Sequence, residues 1–367
     1  MSVKVSRIIE VLEQLAPPAL QESYDNAGLL TGNPDQECIG VLCTLDCTEE
    51  VLEEAVAKGC NMVVAHHPII FSGLKKITGS NYVQRTVISA IRKDLAIYAI
   101  HTNLDHKLDG VNDRIADRIG LTGRRILDPR PGTLKKLVCF VPVDFAGAVR
   151  DAMFAAGAGG ISNYDECSFN TPGTGTFRAL EGADPFTGRI GSRHEEPETR
   201  IEAVFPSPFE NRIVKAMRAA HPYEEVAFDI LPLANPHPGI GAGLVGELAP
   251  ALGEKEFLGL LKEAFGTGII RHSPLRGVPV QRVAVCGGAG SFLISKALAA
   301  GVDFFVTADM KYHEFFDADG RMVIADIGHF ESEQYTSALL QEVLVKKFTT
   351  FAVLKSEVNT NPVRYFH

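Results

Sequence analysis

No apolar run in the 367-residue chain reaches the roughly 18–20 residues that a membrane-crossing helix needs, so a helical membrane protein is excluded at the outset. Positive charge is also in short supply: 36 Lys and Arg face 45 Asp and Glu, a formal charge of −9. Binding to nucleic acid by charge alone needs a basic excess, so bulk coating of a polyanion is disfavoured, although a local basic patch stays open. The cysteines, at 38, 43, 47, 60, 139, 167 and 286, are odd in number, scattered and free of any Cys-x-x-Cys spacing. They read as buried, reduced thiols of a cytosolic protein, and histidine becomes the metal-binding residue of interest. Met1–Glu13 interleaves charge with apolar residues and lacks the continuous apolar stretch of a secretory leader, so a cytoplasmic location is expected. A content of 46% hydrophobic and 22% charged residues rules out disorder. At about 100–200 residues per domain, the length predicts two or three domains.

Periodicity supplies an α/β pattern. Val5, Ile8, Ile9, Leu12 and Leu15 have helical spacing, and Pro17-Pro18 stops the helix. The run 39–45 reads as a strand, 48–58 as a helix closed by Gly59, 61–65 as a strand ending at His66-His67-Pro68, 82–93 as a helix, and 96–100 as a strand running into His101. The stretch 282–333 repeats the order: strand 282–286, turn 287–290, helix 291–300, strand 302–306, and strand 323–327 ending at Gly328-His329. A shift of 242 places Val41 on Val283, Ala55 on Ala297, Gly59 on Gly301 and Val64 on Val306; a shift of 228 places His101 on His329 and Asp105 on Glu333. Two pseudo-symmetric α/β halves with largely parallel sheets are expected, 1–131 and 239–367, forming one site-bearing unit.

Between them, a second repeat with a shift of 64 puts Pro142 on Pro206, Phe145 on Phe209 and Met153 on Met217. Each copy reads as strand, helix, strand: 136–141, 145–156 and a strand near 160–169, then 200–205, 209–220 and a strand near 225–233. Tandem βαβ units of this kind describe an inserted ferredoxin-like α+β domain over 132–238, bounded by turn-rich segments on both sides. The Gly-, Pro- and Thr-rich stretch 170–197 reads as a mobile hairpin or loop.

Three clusters follow expected strands: His66-His67-Pro68, His101-Thr102-Asn103-Leu104-Asp105, and His329-Phe330-Glu331-Ser332-Glu333. The carboxyl ends of parallel strands are where α/β sites assemble. Adjacent histidines on an extended backbone diverge, so His66 and His67 suit two ions better than one. Each His-x-x-x-carboxylate pair converges where the chain turns into a helix. Imidazole nitrogen with carboxylate oxygen suits Zn²⁺, Fe²⁺, Mn²⁺, Co²⁺ or Ni²⁺. His313, beside Lys311 and Tyr312, is a candidate general acid, since an imidazole titrates near pH 6.5. Cys286-Gly287-Gly288-Ala289-Gly290 fits neither a dinucleotide fingerprint nor a P-loop and reads as a tight turn.

With Tyr24-Asp25-Asn26-Ala27-Gly28-Leu29, Val285-Cys286-Gly287-Gly288 and Asp309-Met310-Lys311-Tyr312-His313-Glu314, these segments resemble the signatures of the NIF-three-like family, whose members are often described as GTP cyclohydrolase I type 2 homologues. Tyr24 stands where many members carry Trp. His221-Pro222-Tyr223-Glu224-Glu225 resembles the PII/CutA-like insert of the long bacterial members. The resemblance implies a dinuclear metal centre in a toroidal homohexamer. By motif, His67 and Asp105 bind one ion, His66 and His329 the other, and Glu333 bridges. His101 lines the site as a proton relay or outer partner. His101, His313 and Glu333 are thus the candidate catalytic residues, and His66, His67, Asp105, His329 and Glu333 the metal ligands. The expected function is hydrolysis of a nucleotide, related heterocycle or phosphoester by metal-activated water. The alternatives are a non-enzymatic, ring-shaped regulatory protein with nucleic acid as a weak candidate partner, and a metal store or carrier.

Overall fold

The short apolar runs that the sequence offers as buried strands form the middle of two sheets in a computed structural model that describes residues 3–349 and 351–366. Two units result: residues up to Asp128 with those from Gly239 onward, and Pro129–Pro238. In the first unit, strands Gly40–Thr44, Met62–Ala65 and Ala96–Ala99 lie parallel, side by side, with every residue buried. Covered on both faces, such strands read as continuous apolar runs rather than alternating ones. Val280–Ala289, Phe304–Ala308 and Val323–Asp326 form the same parallel trio in the second sheet. The repeat extends to strand register: Val41 pairs with Met62 and Val283 with Phe304, both members of the second pair lying 242 positions on.

The halves are less separate than the sequence suggests. Ala352–Lys355, from the end of the chain, is the edge strand of the first sheet beside Gly40–Thr44, whereas Thr122–Pro129, from the first segment, is the edge strand of the second. Each segment thus completes the other's sheet, and the simple division into 1–131 and 239–367 gives way to an exchanged pair. Helix Val5–Leu15 buries Val5, Ile8, Val11 and Leu12 in one cluster with Val41, Tyr98, Leu340 and Leu344, as its 3–4 spacing dictates. Helix Glu49–Ala57 starts where Thr48 Oγ1 accepts the Val51 N–H at 3.3 Å, and the chain leaves through Gly59 at φ 72°. The expected turn at 287–290 is shorter than predicted, because strand Val280–Ala289 continues through it with a register shift between Val285 and Ala289.

The second unit is a four-stranded antiparallel sheet with two helices. Leu134–Pro142 and Arg193–Pro206 are central, with Phe228–Pro232 and Phe169–Arg178 at the edges. Helices Ala146–Ala155 and Glu210–Ala220 direct Val149, Met153, Ile213 and Met217 onto Leu137, Cys139, Ile201 and Phe205. The strand expected near 160–169 is displaced: it begins at Phe169 and runs to Arg178, inside the stretch read as a hairpin or loop. Its pairing with Arg193–Pro206 makes a long hairpin whose outer strand is mostly solvent-exposed, so no apolar alternation marked it. Six cysteines are buried, Cys167 is partly buried, and all seven are free.

Phe257 and Phe304, both fully buried, meet edge to face at 5.0 Å in the second sheet's core. Phe257→Ala should cost about 3–5 kcal/mol through lost transfer energy and a residual cavity. Urea unfolding should show the midpoint moving down by that equivalent, with Phe257→Leu intermediate.

Candidate metal centre

Both parallel trios deliver their polar residues from the carboxyl ends of their strands. His66 and His67 follow Met62–Ala65, and their N–H groups bond Thr44 O and Leu45 O at 3.2 and 3.0 Å, prolonging the ladder. His101 follows Ala96–Ala99, and the helical turn Thr102–Asp105 carries Asp105. Asp309 follows Phe304–Ala308, and helix His329–Glu333 follows Val323–Asp326. One helical turn puts His329 and Glu333 on the same face, Nε2 to Oε2 3.0 Å.

Each imidazole is oriented through its Nδ1. The Nδ1–H groups donate to Ile100 O (2.8 Å, His66), Asp46 Oδ1 (2.7 Å, His67), Asp25 Oδ1 (2.8 Å, His101) and Asp309 Oδ2 (2.7 Å, His329). With one ring nitrogen committed, the other is left for the centre, the arrangement that fixes the tautomer of a ligating histidine. Asp25 also accepts from the Thr102 N–H at 3.0 Å and the Thr102 hydroxyl, and Asp46 from the Thr360 hydroxyl.

The donors fall into overlapping groups whose atoms lie within 4.8 Å of one another: His66, Asp105 and Glu333; His67, His329 and Glu333; and His66, His67 and His101. Glu333 belongs to two groups, as the bridging role requires. The resemblance groups His67 with Asp105 and His66 with His329 as ligands; among the side chains themselves the nearest approaches are His66 Nε2 to Asp105 Oδ1 (3.5 Å) and His67 Nε2 to His329 Nε2 (3.3 Å), with His66 and His67 leaving opposite sides of the backbone. His101, expected as a relay or outer partner, has its free nitrogen among the donors. His313 is not brought to them: it lies exposed on the short helix Tyr312–Ala318, stacked on Phe316, and neither it, Lys311 nor Tyr312 lines the cleft.

The residues fit a cation. His66 Nε2 and Asp105 Oδ1 are both buried and lack a hydrogen-bond partner. Since His66 donates through Nδ1, its Nε2 is an acceptor, and it faces a second acceptor in Asp105. Such a buried confrontation is costly unless a proton or cation lies between them. The glycines complete the cradle: a Cβ on Gly288 would stand 2.5 Å from Glu333 Oε1 and 3.2 Å from His329 Cε1. Gly288 has φ 59°, so its identity is required twice over. The Gly287 and Gly288 N–H groups donate to Asn112 Oδ1 (2.9 Å) and Ser332 Oγ (3.0 Å), so neither is left to hold a phosphate.

The electrostatics of the cluster follow from this crowding. Burial holds His66 neutral, its pKa pushed down to about 3. Burial opposes charge on His67 and His329 too, but hydrogen bonds to Asp46 and Asp309 respectively, and to Glu333, outweigh it and lift them to about 9 and about 11. Glu333, despite burial, is held well below the ordinary carboxylate range by those two imidazoliums. Burial and the Glu333 charge push Asp105 well above it. This charge network therefore stabilises the fold fully between the ordinary carboxylate and histidine values, 4.5 and 6.5; it fades as pH rises through about 9 and about 11, and again as pH falls below 4.5 and Glu333 takes a proton.

Sequence patterning missed Asp25, Asp46 and Asp309 as histidine supports. Asp25 and Asp309 lay within the family-like segments, and for Asp46 and Asp309 the available signal was an acid just beyond a strand end. The cluster floors a cleft of about 690 Å³ whose rim includes Tyr24, Phe71 and Phe292.

The family model described as Duf34/NIF3 (NGG1p interacting factor 3) matches residues 3–362. A Halalkalibacterium halodurans protein named GTP cyclohydrolase 1 type 2 homolog is 39% identical over 364 residues, 98% of each chain. A Bacillus subtilis protein of the same name is 36% identical over 374 residues, 99% of each. The crystal structure of a Bacillus cereus protein related to NIF3 superposes with a TM-score of 0.88 at 36% identity, covering all of both chains.

Two outcomes follow. Asp309→Asn keeps a side chain that tolerates the left-handed backbone there (φ 54°) but removes the charge behind His329. It should weaken Zn²⁺ binding by about tenfold or more in competition with a chromogenic chelator. Because a cation must displace the protons on His67 and His329, wild-type affinity should rise between pH 6 and 8, about tenfold per pH unit for each proton displaced. A pH-independent affinity would contradict the charge assignment.

Proposed function

We propose that this chain, which belongs to the Duf34/NIF3 family, is a metal-dependent hydrolase of nucleotide-type heterocycles or phosphoesters. The observation that carries the reading is the buried, partnerless pair His66 Nε2 and Asp105 Oδ1 beside the His67–Glu333–His329 cluster on a cleft floor. In this reading His66, His67, Asp105 and His329 hold two divalent ions, with Glu333 shared between them. Ions bound there supply Lewis acidity and lower the pKa of a water.

The protein's own contribution is proton handling and positioning. His101 presents a free Nε2 to the cluster, and its Nδ1–H is fixed on Asp25, which burial does not prevent from staying ionised: hydrogen bonds from His101 and Thr102 hold its pKa well below the ordinary range. That carboxylate stabilises the imidazolium formed when His101 takes a proton from an attacking water. At the rim, Tyr24 and Phe71 stand 6.2 Å apart with both rings largely exposed, a platform for a planar ring. Phe71 also meets His101 edge-on at 6.3 Å, which would place a stacked ring beside the proposed base. None of the described residues lining the cleft is Lys or Arg. A substrate held by its ring suits this lining better than one held by a phosphate chain, and the relatives' name makes ring opening of GTP a candidate reaction.

Protein loaded separately with Zn²⁺, Mn²⁺ and Co²⁺ should turn over at least one member of a panel of nucleotides, nucleosides and phosphoesters, and chelation should abolish the activity. His101→Gln should lower kcat by about 10²–10⁴ with bound metal unchanged. A metal-replete protein that hydrolyses nothing in the panel sinks the hydrolase reading.

A further inference from the structure

The second unit contains a cavity of about 600 Å³ that the proposed hydrolysis does not use. Its walls are largely apolar, with Phe177 and Phe186 flanking Tyr223 at ring separations of 6.1 and 6.2 Å. Three carboxylates line it; Glu224 and Glu225 are exposed, and the third is buried. Glu198, on the central strand Arg193–Pro206, is only 8% exposed. Its Oε1 accepts the Tyr223 hydroxyl at 2.9 Å, and among the described residues no Lys, Arg or His pairs with it. Burial and the Glu198 charge push the Tyr223 phenol up, keeping it a donor. A Cβ on Gly175, across the hairpin, would lie 2.3 Å from Glu198 Oε2, so the glycine keeps space open at the second oxygen.

The histidines nearby exclude a metal site. His221 donates from Nε2 to Phe140 O at 2.9 Å and accepts the Tyr223 N–H at Nδ1, at 3.1 Å, leaving no free nitrogen. His194 Nε2 is engaged by Glu196 at 2.8 Å. Arg200, two residues along the same strand face, also lines the cavity, but its guanidinium lies against Glu202 at 2.9 Å. A buried negative charge without a cationic partner, ringed by π faces, matches a soft organic cation: the carboxylate takes the charge, and the rings take both the charge and the apolar body.

We propose that this cavity is a binding site for an organic ammonium compound, a primary or quaternary amine carrying an aromatic or aliphatic group, with Glu198 as its counter-ion and Phe177, Phe186 and Tyr223 as its walls. The site is independent of the metal cluster and of any hydrolysis there.

Calorimetric titration of the full chain with phenethylamine and benzyltrimethylammonium, against neutral 2-phenylethanol and zwitterionic phenylalanine, tests the assignment. The cations should bind, and the alcohol about 10- to 100-fold more weakly or not at all. Glu198→Gln, which keeps an acceptor for Tyr223, should lose about 10- to 100-fold in amine affinity with an unchanged melting temperature. Phe186→Ala, at a position 53% exposed, should also weaken binding. Glu333→Gln should leave it intact, assigning the binding to this cavity rather than to the cleft. The proposal fails if neither cation binds, if the alcohol equals the amine, if phenylalanine binds more tightly than phenethylamine, or if both Glu198→Gln and Phe186→Ala bind as wild type.

Discussion

Four imidazoles whose Nδ1 atoms are already bonded have only the floor of the cleft toward which to direct Nε2, and the buried Glu333 and partly buried Asp105 occupy the same floor. That constraint organises the rest of the first unit. Without a cation, the cluster balances its charges by keeping protons on His67 and His329 around Glu333, yet it leaves His66 Nε2 and Asp105 Oδ1 facing each other unsatisfied. Buried polar groups are tolerated in that state when something outside the chain completes them. The cluster therefore has the donor set and the unmet polar atoms of a group that could hold a cation. The supporting aspartates matter as much as the inner residues, since each keeps a ring from rotating its second nitrogen away from the floor.

The fold supplies this geometry by bringing strand ends from two sheets to one place. Glu333 and His329 come from the second sheet's trio; His66, His67, His101 and Asp105 come from the first. Neither half alone holds a complete donor set, because Glu333 takes part in both carboxylate-containing groups. The exchange of edge strands is the structural counterpart of this sharing. With Ala352–Lys355 bonded into the first sheet and Thr122–Pro129 into the second, the halves cannot separate without breaking strand ladders. The segment after Ala352–Lys355 adds to the same end, since Thr360 bonds Asp46 and Asn361 bonds Glu331 at 3.1 Å.

What was legible in the sequence follows the range of the interactions involved. The parallel trios could be read because fully buried strands are apolar throughout, and the donor residues because they follow those strands at repeated spacing. The mixed α/β architecture and the family are as expected. The strand Phe169–Arg178 could not be read because its residues face solvent and its partner is fixed by hairpin pairing alone. Which side of the backbone His66 and His67 each leave was inaccessible for another reason, since sequence spacing does not orient adjacent side chains after a strand. Asp46 supports His67 across 21 residues and Asp309 supports His329 across 20, so neither belongs to a local motif. His313 misled because its neighbours are motif-like, whereas its helix places it on the surface with Tyr312 and Phe316.

The two cavities show how the same acidic group acquires different chemistry from its neighbours. In the cleft, Glu333 is met by imidazole nitrogens held at 2.9 and 3.0 Å, a borderline donor set that selects a hard-to-intermediate metal cation. In the second unit, Glu198 is met by a phenol and π faces, while both nitrogens of the nearby His221 are spent on the backbone. A carboxylate in that setting has no nitrogen donor with which to share a metal ion, and the rings favour a cation whose charge is spread over an apolar body. The formal charge of −9 is thus a poor guide to the surface field, because part of it is committed to buried positions where a bound cation would offset it.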